Sequence, residues 1–209
     1  MSTRFCIKTL IPVLLVIAGL GWLSRAAYFE AKAAVASELI AQAWHTSGQT
    51  GQPQHPWPWA DFVPVGWLTV DRLEVERPIL SGATGESLAF GLGHVHGTSA
   101  VGWTGNAVIA GHRNSWAGFL YDLRVGDEIT VLTQQGTQAY VVLTQTVVSD
   151  NEGLILLPTP DERLTLVTCY PRHGPVPSVQ RLSVVCQRLD VVPETGKKMK
   201  PMGLWPSNV

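Results

Sequence analysis

LTLVTCYP, Leu164 to Pro171, reads as the end of a β-strand. Aliphatic and β-branched residues run into a cysteine, and a proline then stops the ladder because it has no N–H to donate. The cysteine is the informative residue. Only three stand in 209 residues, at positions 6, 169 and 186, too few and too scattered for a disulfide framework or a CxxC metal pattern. Cys169 closes its strand beside YPRHGP (170–175), a loop composition, so its thiol is exposed enough to react.

The flanking sequence repeats the strand pattern. RLTLVTC (163–169) is followed by QRLSVVCQRL (180–189). EITVLT (128–133) and QAYVVLTQTVV (138–148) flank a turn with Gly136, as in a hairpin. VGWLTVDRLEVERPIL (65–80) reads as two short strands around Asp71 and Arg72, and NAVIAGH (106–112) as a short apolar strand after a glycine-rich loop. A helical turn covers SWAGFLYDL (115–123). From Phe62 on no stretch has a long helical period, so the domain is all-β, a small barrel or sandwich. Its charged fraction of 15% with 45% hydrophobic residues excludes a disordered chain, and a net charge of −1 leaves no electrostatic footprint for nucleic acid.

The N-terminus is different. TLIPVLLVIAGLGWL (9–23) carries no charge and follows Arg4 and Lys8. It suits a signal-peptide core or a membrane anchor. With its apolar flanks it approaches the ~20 residues that span a bilayer, which favours the anchor, although the small residues of AKAA (31–34) leave cleavage open. Phe29, Ala33, Ala36, Ile40 and Ala43 then recur at spacings of four and three, a helical stripe that packs on the domain or on a second copy as a homodimer. The expected organisation is an N-terminus at 1–8, an anchor at 9–29, a helical stalk at 30–45, a breaker-rich linker at 46–60, the β-domain at 61–192 and a tail at 193–209.

Strand parity separates the cysteines. Leu182, Val184 and Cys186 share one face and Arg181 and Ser183 the other, so Cys186 belongs to the core. Cys6, at the membrane edge, is an idle thiol or a lipidation site. Cys169 needs a cationic neighbour to act as a nucleophile, and His94, His96, His112, His173 and Arg181 are the candidates. His112 ends its own strand after Gly111, which permits close backbone approach. If the last two strands pair as an antiparallel hairpin, Arg181 lies near Cys169, and Cys186 lies roughly 16 Å further along, out of disulfide reach. Spacing alone does not show that Cys169, His112 and Arg181 converge.

These same residues resemble the signature of the sortases, a family of cysteine transpeptidases. AGHRNS, LTLVTC and an arginine twelve positions after the cysteine follow the family's order, as do FGLGHVHGTSAVGWTGNAVIAGHRNS before the histidine, LYDLRVGDEITV after it and the short N-terminal anchor. The likeness covers about Val63 to Leu189 and is nearest to the lone sortases of Gram-negative bacteria, class GN. It implies a closed eight-stranded β-barrel without a cofactor or metal. Cys169 would attack the Thr–Gly bond of an LPxTG-like sorting signal, His112 would protonate the leaving amine, and Arg181 would hold the carbonyl or oxyanion. The thioacyl-enzyme would pass to an amine acceptor. His94, Asn114, Thr168, Tyr170 and Arg172 would line the substrate. The resemblance also implies a single-pass protein of the cytoplasmic (inner) membrane with its barrel on the outer, periplasmic side. One departure stands at Arg172 and His173, near where relatives often carry an aromatic residue.

Two other readings compete. His94, His96 and His112 offer three imidazoles to a zinc hydrolase. Trp57, Trp59 and Trp67 suggest a tethered peptide-binding β-domain without chemistry.

Overall fold

The computed structural model describes the backbone of residues 3–149, 153–174 and 178–190, and the side chains of all these but 3–14 and 154. One long helix, α1 (Thr3–Thr50), precedes eight strands. They are β1 (Pro64–Val70), β2 (Val75–Ser81), β3 (Leu92–His94), β4 (Gly105–Gly111), β5 (Glu128–Thr133), β6 (Gly136–Ser149), β7 (Glu162–Tyr170) and β8 (Gln180–Arg188). They close into a barrel in the order β1-β2-β3-β4-β7-β8-β6-β5, with β1 returning to β5. Closure removes the sheet edges that an open sheet of this composition would expose. The interior is filled by alternate residues of each strand: Leu68 and Val70, Ala107 and Ile109, Ile129 and Val131, Leu164 and Leu166, Val184 and Cys186, all buried in one cluster.

The expected strands and the turn at Gly118–Asp122 are present. Two further short elements have no counterpart in the sequence pattern. β3 has three residues, too few for a period to show, and sits inside the glycine-rich stretch. A second helix, α2 (Gly85–Phe90), covers six residues; its start carries a reciprocal cap between Thr84 and Ser87.

The stalk departs from its expected end at residue 45. α1 runs five residues further because hydroxyls tolerate helix here by bonding back to the preceding turn: Ser47 Oγ donates to the Ala43 carbonyl at 2.7 Å and Thr50 Oγ1 to the Thr46 carbonyl at 2.9 Å. Gly51, at φ +68°, ends it. The C-terminal half of the stripe is buried, while Phe29 at its start is exposed. Ala36, Ile40 and Ala43 are buried, and Ile40 meets Ala60, Phe62 and Leu80. Trp57 lies edge-on to Phe62 and Phe90, and Trp67 is buried in β1, so of the three tryptophans only Trp59 is a free surface. Among the described residues no helix is long and apolar enough to cross a membrane. The side chains at 1–14, which include Cys6 and the start of the expected anchor, lie outside the described set, as does the tail 193–209.

A buried carboxylate ties the barrel's near side together. Asp127 accepts Arg72 Nε at 2.6 Å, Arg72 Nη2 at 2.5 Å and the Arg124 amide at 2.7 Å, and Arg72 also donates to the Asp122 carbonyl. This fork joins the turn between β1 and β2 to the turn before β5. The hydrogen bond from Arg72 holds the Asp127 carboxyl below the usual carboxylate range. A carboxyl whose folded pKa is depressed stabilises the fold above its unfolded pKa and stops doing so as pH falls through the folded one. Thermal melts should therefore show Asp127→Asn less stable than wild type near neutrality, with the gap closing between about pH 4 and more acid values. A gap independent of pH would mean that the ion pair is not the source.

Candidate active site

The site begins with a parallel pair of strands. β4 and β7 run side by side with Gly111 opposite Thr168. The next position on each chain is His112 and Cys169, so both leave the sheet at the same rim, one strand spacing apart, about 4.8 Å. β8 returns antiparallel to β7 and places Arg181 directly opposite Cys169. Parity sets the face. Leu164, Leu166 and Thr168 alternate into the barrel with Ala107, Ile109 and Gly111, so Cys169, Arg181 and the position of His112 take the outer face. Three chemically competent side chains thus stand in a row on three neighbouring strands. His112 is exposed, and Cys169 and Arg181 are half-buried.

Local packing holds each member. Thr168 Oγ1 donates to the Gly111 carbonyl at 2.8 Å and Thr165 Oγ1 to Asn106 Oδ1 at 2.7 Å, both buried bonds between β4 and β7. Asn106 Nδ2 reaches the Ile155 carbonyl at 2.7 Å and draws the segment before β7 against the outer face. Gly111 is required by space: a Cβ there would stand 2.7 Å from the Ala117 Cβ and 2.8 Å from Leu92 Cδ2, so the turn after His112 can close only over glycine. That turn is bonded through the His112 carbonyl, which accepts the Ala117 amide at 3.0 Å. Arg181 Nη1 donates to the Ser178 carbonyl at 2.6 Å, which braces the guanidinium against the loop that precedes its own strand.

Two side chains that brace the site were not singled out from the sequence. Arg113, buried beside His112, donates from Nη1 to the Pro171 carbonyl at 2.8 Å and from Nη2 to the Gly174 carbonyl at 2.6 Å. It joins the loop after the histidine to the loop after the cysteine. Tyr121, in the turn at Gly118–Asp122, donates its hydroxyl to the Cys169 carbonyl at 2.5 Å. Arg113 lay in the quoted AGHRNS block; nothing in the chain order pairs Tyr121 with position 169.

The five residues expected at the substrate divide. Asn114 and Arg172 line a cavity of about 560 Å³ with Arg113, Asp122 and His173, next to the row. Thr168 does not face it: the residue is buried and its hydroxyl is committed to Gly111. Tyr170 packs partly on the core and stacks on Tyr121. His94 is not brought to the row. It lines a separate cavity of about 480 Å³ with Ser47, Val101 and Gln134, and its Nε2 donates to the Ser99 carbonyl at 2.8 Å. The described residues hold no group of three or more His, Cys, Asp or Glu that could bind a metal ion, so His94, His96 and His112 do not form the zinc set.

Comparison with known proteins gives one family. The model of the Sortase domain matches residues 68–189. Sortase D of Bacillus subtilis strain 168 is 30% identical over 146 residues, 67% of this chain and 72% of that protein. Among solved structures, sortase A from Corynebacterium diphtheriae aligns at a TM-score of 0.60 with 28% identity, covering 66% of each chain. A pilus-related sortase C of Group B Streptococcus aligns at 0.55 with 29% identity, covering 60% of this chain and 67% of that one.

The two described cysteines are both free, and they differ sharply in access: Cys186 is fully buried, and burial pushes its thiol pKa far up. A small alkylating reagent should label Cys169 in the native protein and reach Cys186 only after unfolding, as read by peptide mass mapping. Equal labelling of both in the native state would contradict the barrel packing.

Proposed function

Because this chain belongs to the sortase family, we propose that it is a cysteine transpeptidase in which Cys169, His112 and Arg181 carry the reaction. The observation that supports this most is the row itself, adjacent in register on β4, β7 and β8. Cys169 Sγ, as thiolate, attacks the Thr carbonyl carbon of an LPxTG-like signal. The Thr–Gly bond breaks, and His112 gives its proton to the departing amine. The Thr carbonyl is left as a thioester on Cys169. An acceptor amine then attacks that carbon, returns a proton to His112 and releases the thiolate. One amide is exchanged for another, so no energy-supplying cofactor is needed. Arg181 places positive charge beside the oxyanion of each tetrahedral intermediate, and its backbone brace keeps it there.

The apolar run at 9–29 serves in this proposal as a single-pass anchor in the inner membrane, with the barrel on the outer, periplasmic side, as in the class GN likeness. A homodimer through the stalk is not part of it, because Ile40 is already packed on Phe62 and Leu80 and its stripe neighbours Ala36 and Ala43 are buried.

Full-length protein incubated with peptides varied around LPxTG should gain the acyl mass of one peptide, mapping to Cys169, and Cys169→Ala should gain none. Peptide cleavage that survives in Cys169→Ala would remove the thiol from the mechanism. The anchor is tested apart from the chemistry: the expressed chain should sediment with membranes and resist an alkaline carbonate wash, whereas release into the wash would reduce residues 9–29 to a peripheral contact.

A further inference from the structure

The loop that follows Cys169 is held by an unusual number of side-chain donors. Its carbonyls at Cys169, Pro171 and Gly174 accept Tyr121 Oη, Arg113 Nη1 and Arg113 Nη2 in turn, and the Tyr170 carbonyl accepts the Ser178 hydroxyl. The Cys169 bond belongs to a chain of contacts. The Tyr121 ring stacks on Tyr170 with centroids 6.4 Å apart. The Arg172 guanidinium covers the same ring at 5.3 Å, and Asp122 pairs with Arg172 at 3.2 Å. The turn bearing Tyr121 and Asp122 is itself fixed at both ends: Gln145 donates to the Leu120 carbonyl at 2.9 Å and Arg72 to the Asp122 carbonyl at 2.7 Å.

We infer that Tyr121 is a positioning residue for the nucleophile. It acts through the backbone carbonyl of Cys169, and Tyr170, Arg172 and Asp122 form the clamp that keeps its ring in place. Burial raises the Tyr121 phenol pKa against the opposing pull of Arg113, so the hydroxyl remains a donor at neutral pH. The clamp also changes the role expected for Arg172. Its guanidinium lies over Tyr121 and beside Asp122, where it supports the cysteine. It does not read the side chains of a sorting signal. The geometric demand is severe: displacement of a reacting atom by a fraction of an ångström weakens attack far more than it weakens binding.

This inference rests on the transpeptidase reading, and the experiment separates the two. Tyr121→Phe keeps the stacked ring and removes only the donor. In full-length protein, single-turnover acylation of Cys169 by a cleaved peptide should slow by about tenfold with KM within about twofold. Alkylation of Cys169 by iodoacetamide and the melting temperature should stay near wild type. Arg172→Gln should lower acylation for every peptide in a panel varied around the scissile bond and leave their rank order unchanged. If wild type forms no acyl-enzyme at all, the transpeptidase reading fails. If wild type acylates and Tyr121→Phe matches it, the positioning role fails. Slow acylation accompanied by lower melting temperature and newly reactive Cys186 would make Tyr121 a fold residue and overturn the role as well. A reordered peptide ranking in Arg172→Gln would return Arg172 to substrate recognition.

Discussion

The parallel pairing of β4 with β7 is the constraint on which the rest depends. Two parallel neighbours cannot be joined by a tight turn; the chain must travel back to the starting end before the second strand begins. Residues 112–161 make that return, and the β5–β6 hairpin on the way closes the barrel between β1 and β8. The result is that β4 and β7 finish at the same rim. His112 and Cys169 are neighbours although 57 positions separate the residues bonded just before them, Gly111 and Thr168. An antiparallel partner for β7 at this place would have sent the histidine to the far end of the barrel.

Register matters as much as direction. A shift of one residue in β7 would turn Cys169 inward and bring Thr168 out, since alternate side chains face opposite ways. Several independent contacts resist that shift. Leu164 and Leu166 fill the interior, Thr165 and Asn106 share a buried bond, and Thr168 is tied to Gly111. The residues that stabilise the strand therefore also decide which side chain meets solvent, so folding and chemistry have one determinant here.

Much of this was legible in the sequence, and the limits have physical causes. Alternation reveals a strand of six or more residues, so all but one of the eight could be read; β3, with three residues among glycines, has no period to display. Parity placed Cys186 inside and Arg181 outside. Applied to Thr168, which shares phase with Leu164 and Leu166, it would also have removed that residue from the substrate surface. The C-terminal end of α1 lies beyond the expected boundary because serine and threonine signal turns in isolation, yet their hydroxyls can bond within a helix. Contacts such as Arg172 with Asp122, 50 residues apart, have no local signature, and neither does the approach of Tyr121 to Cys169. The position of His94 beside the α1 cavity follows from β3 running antiparallel to β4, a pairing that spacing does not encode.

The continuity of α1 bears on geometry at a larger scale. The helix is unbroken from Thr3 to Thr50, and its last part is fixed to the barrel through Ile40 and Trp44. A flexible tether would let the barrel sweep a wide volume; a helix docked at one end behaves as a strut. Were residues 9–29 embedded as proposed, only Glu30 to Val35 would separate the bilayer from the first buried contact at Ala36, a rise of about 9 Å. The rim bearing Cys169 would then sit at a set height and bearing over the lipid surface. Partners would have to present their reacting ends within that narrow layer, whatever their affinity for the groove.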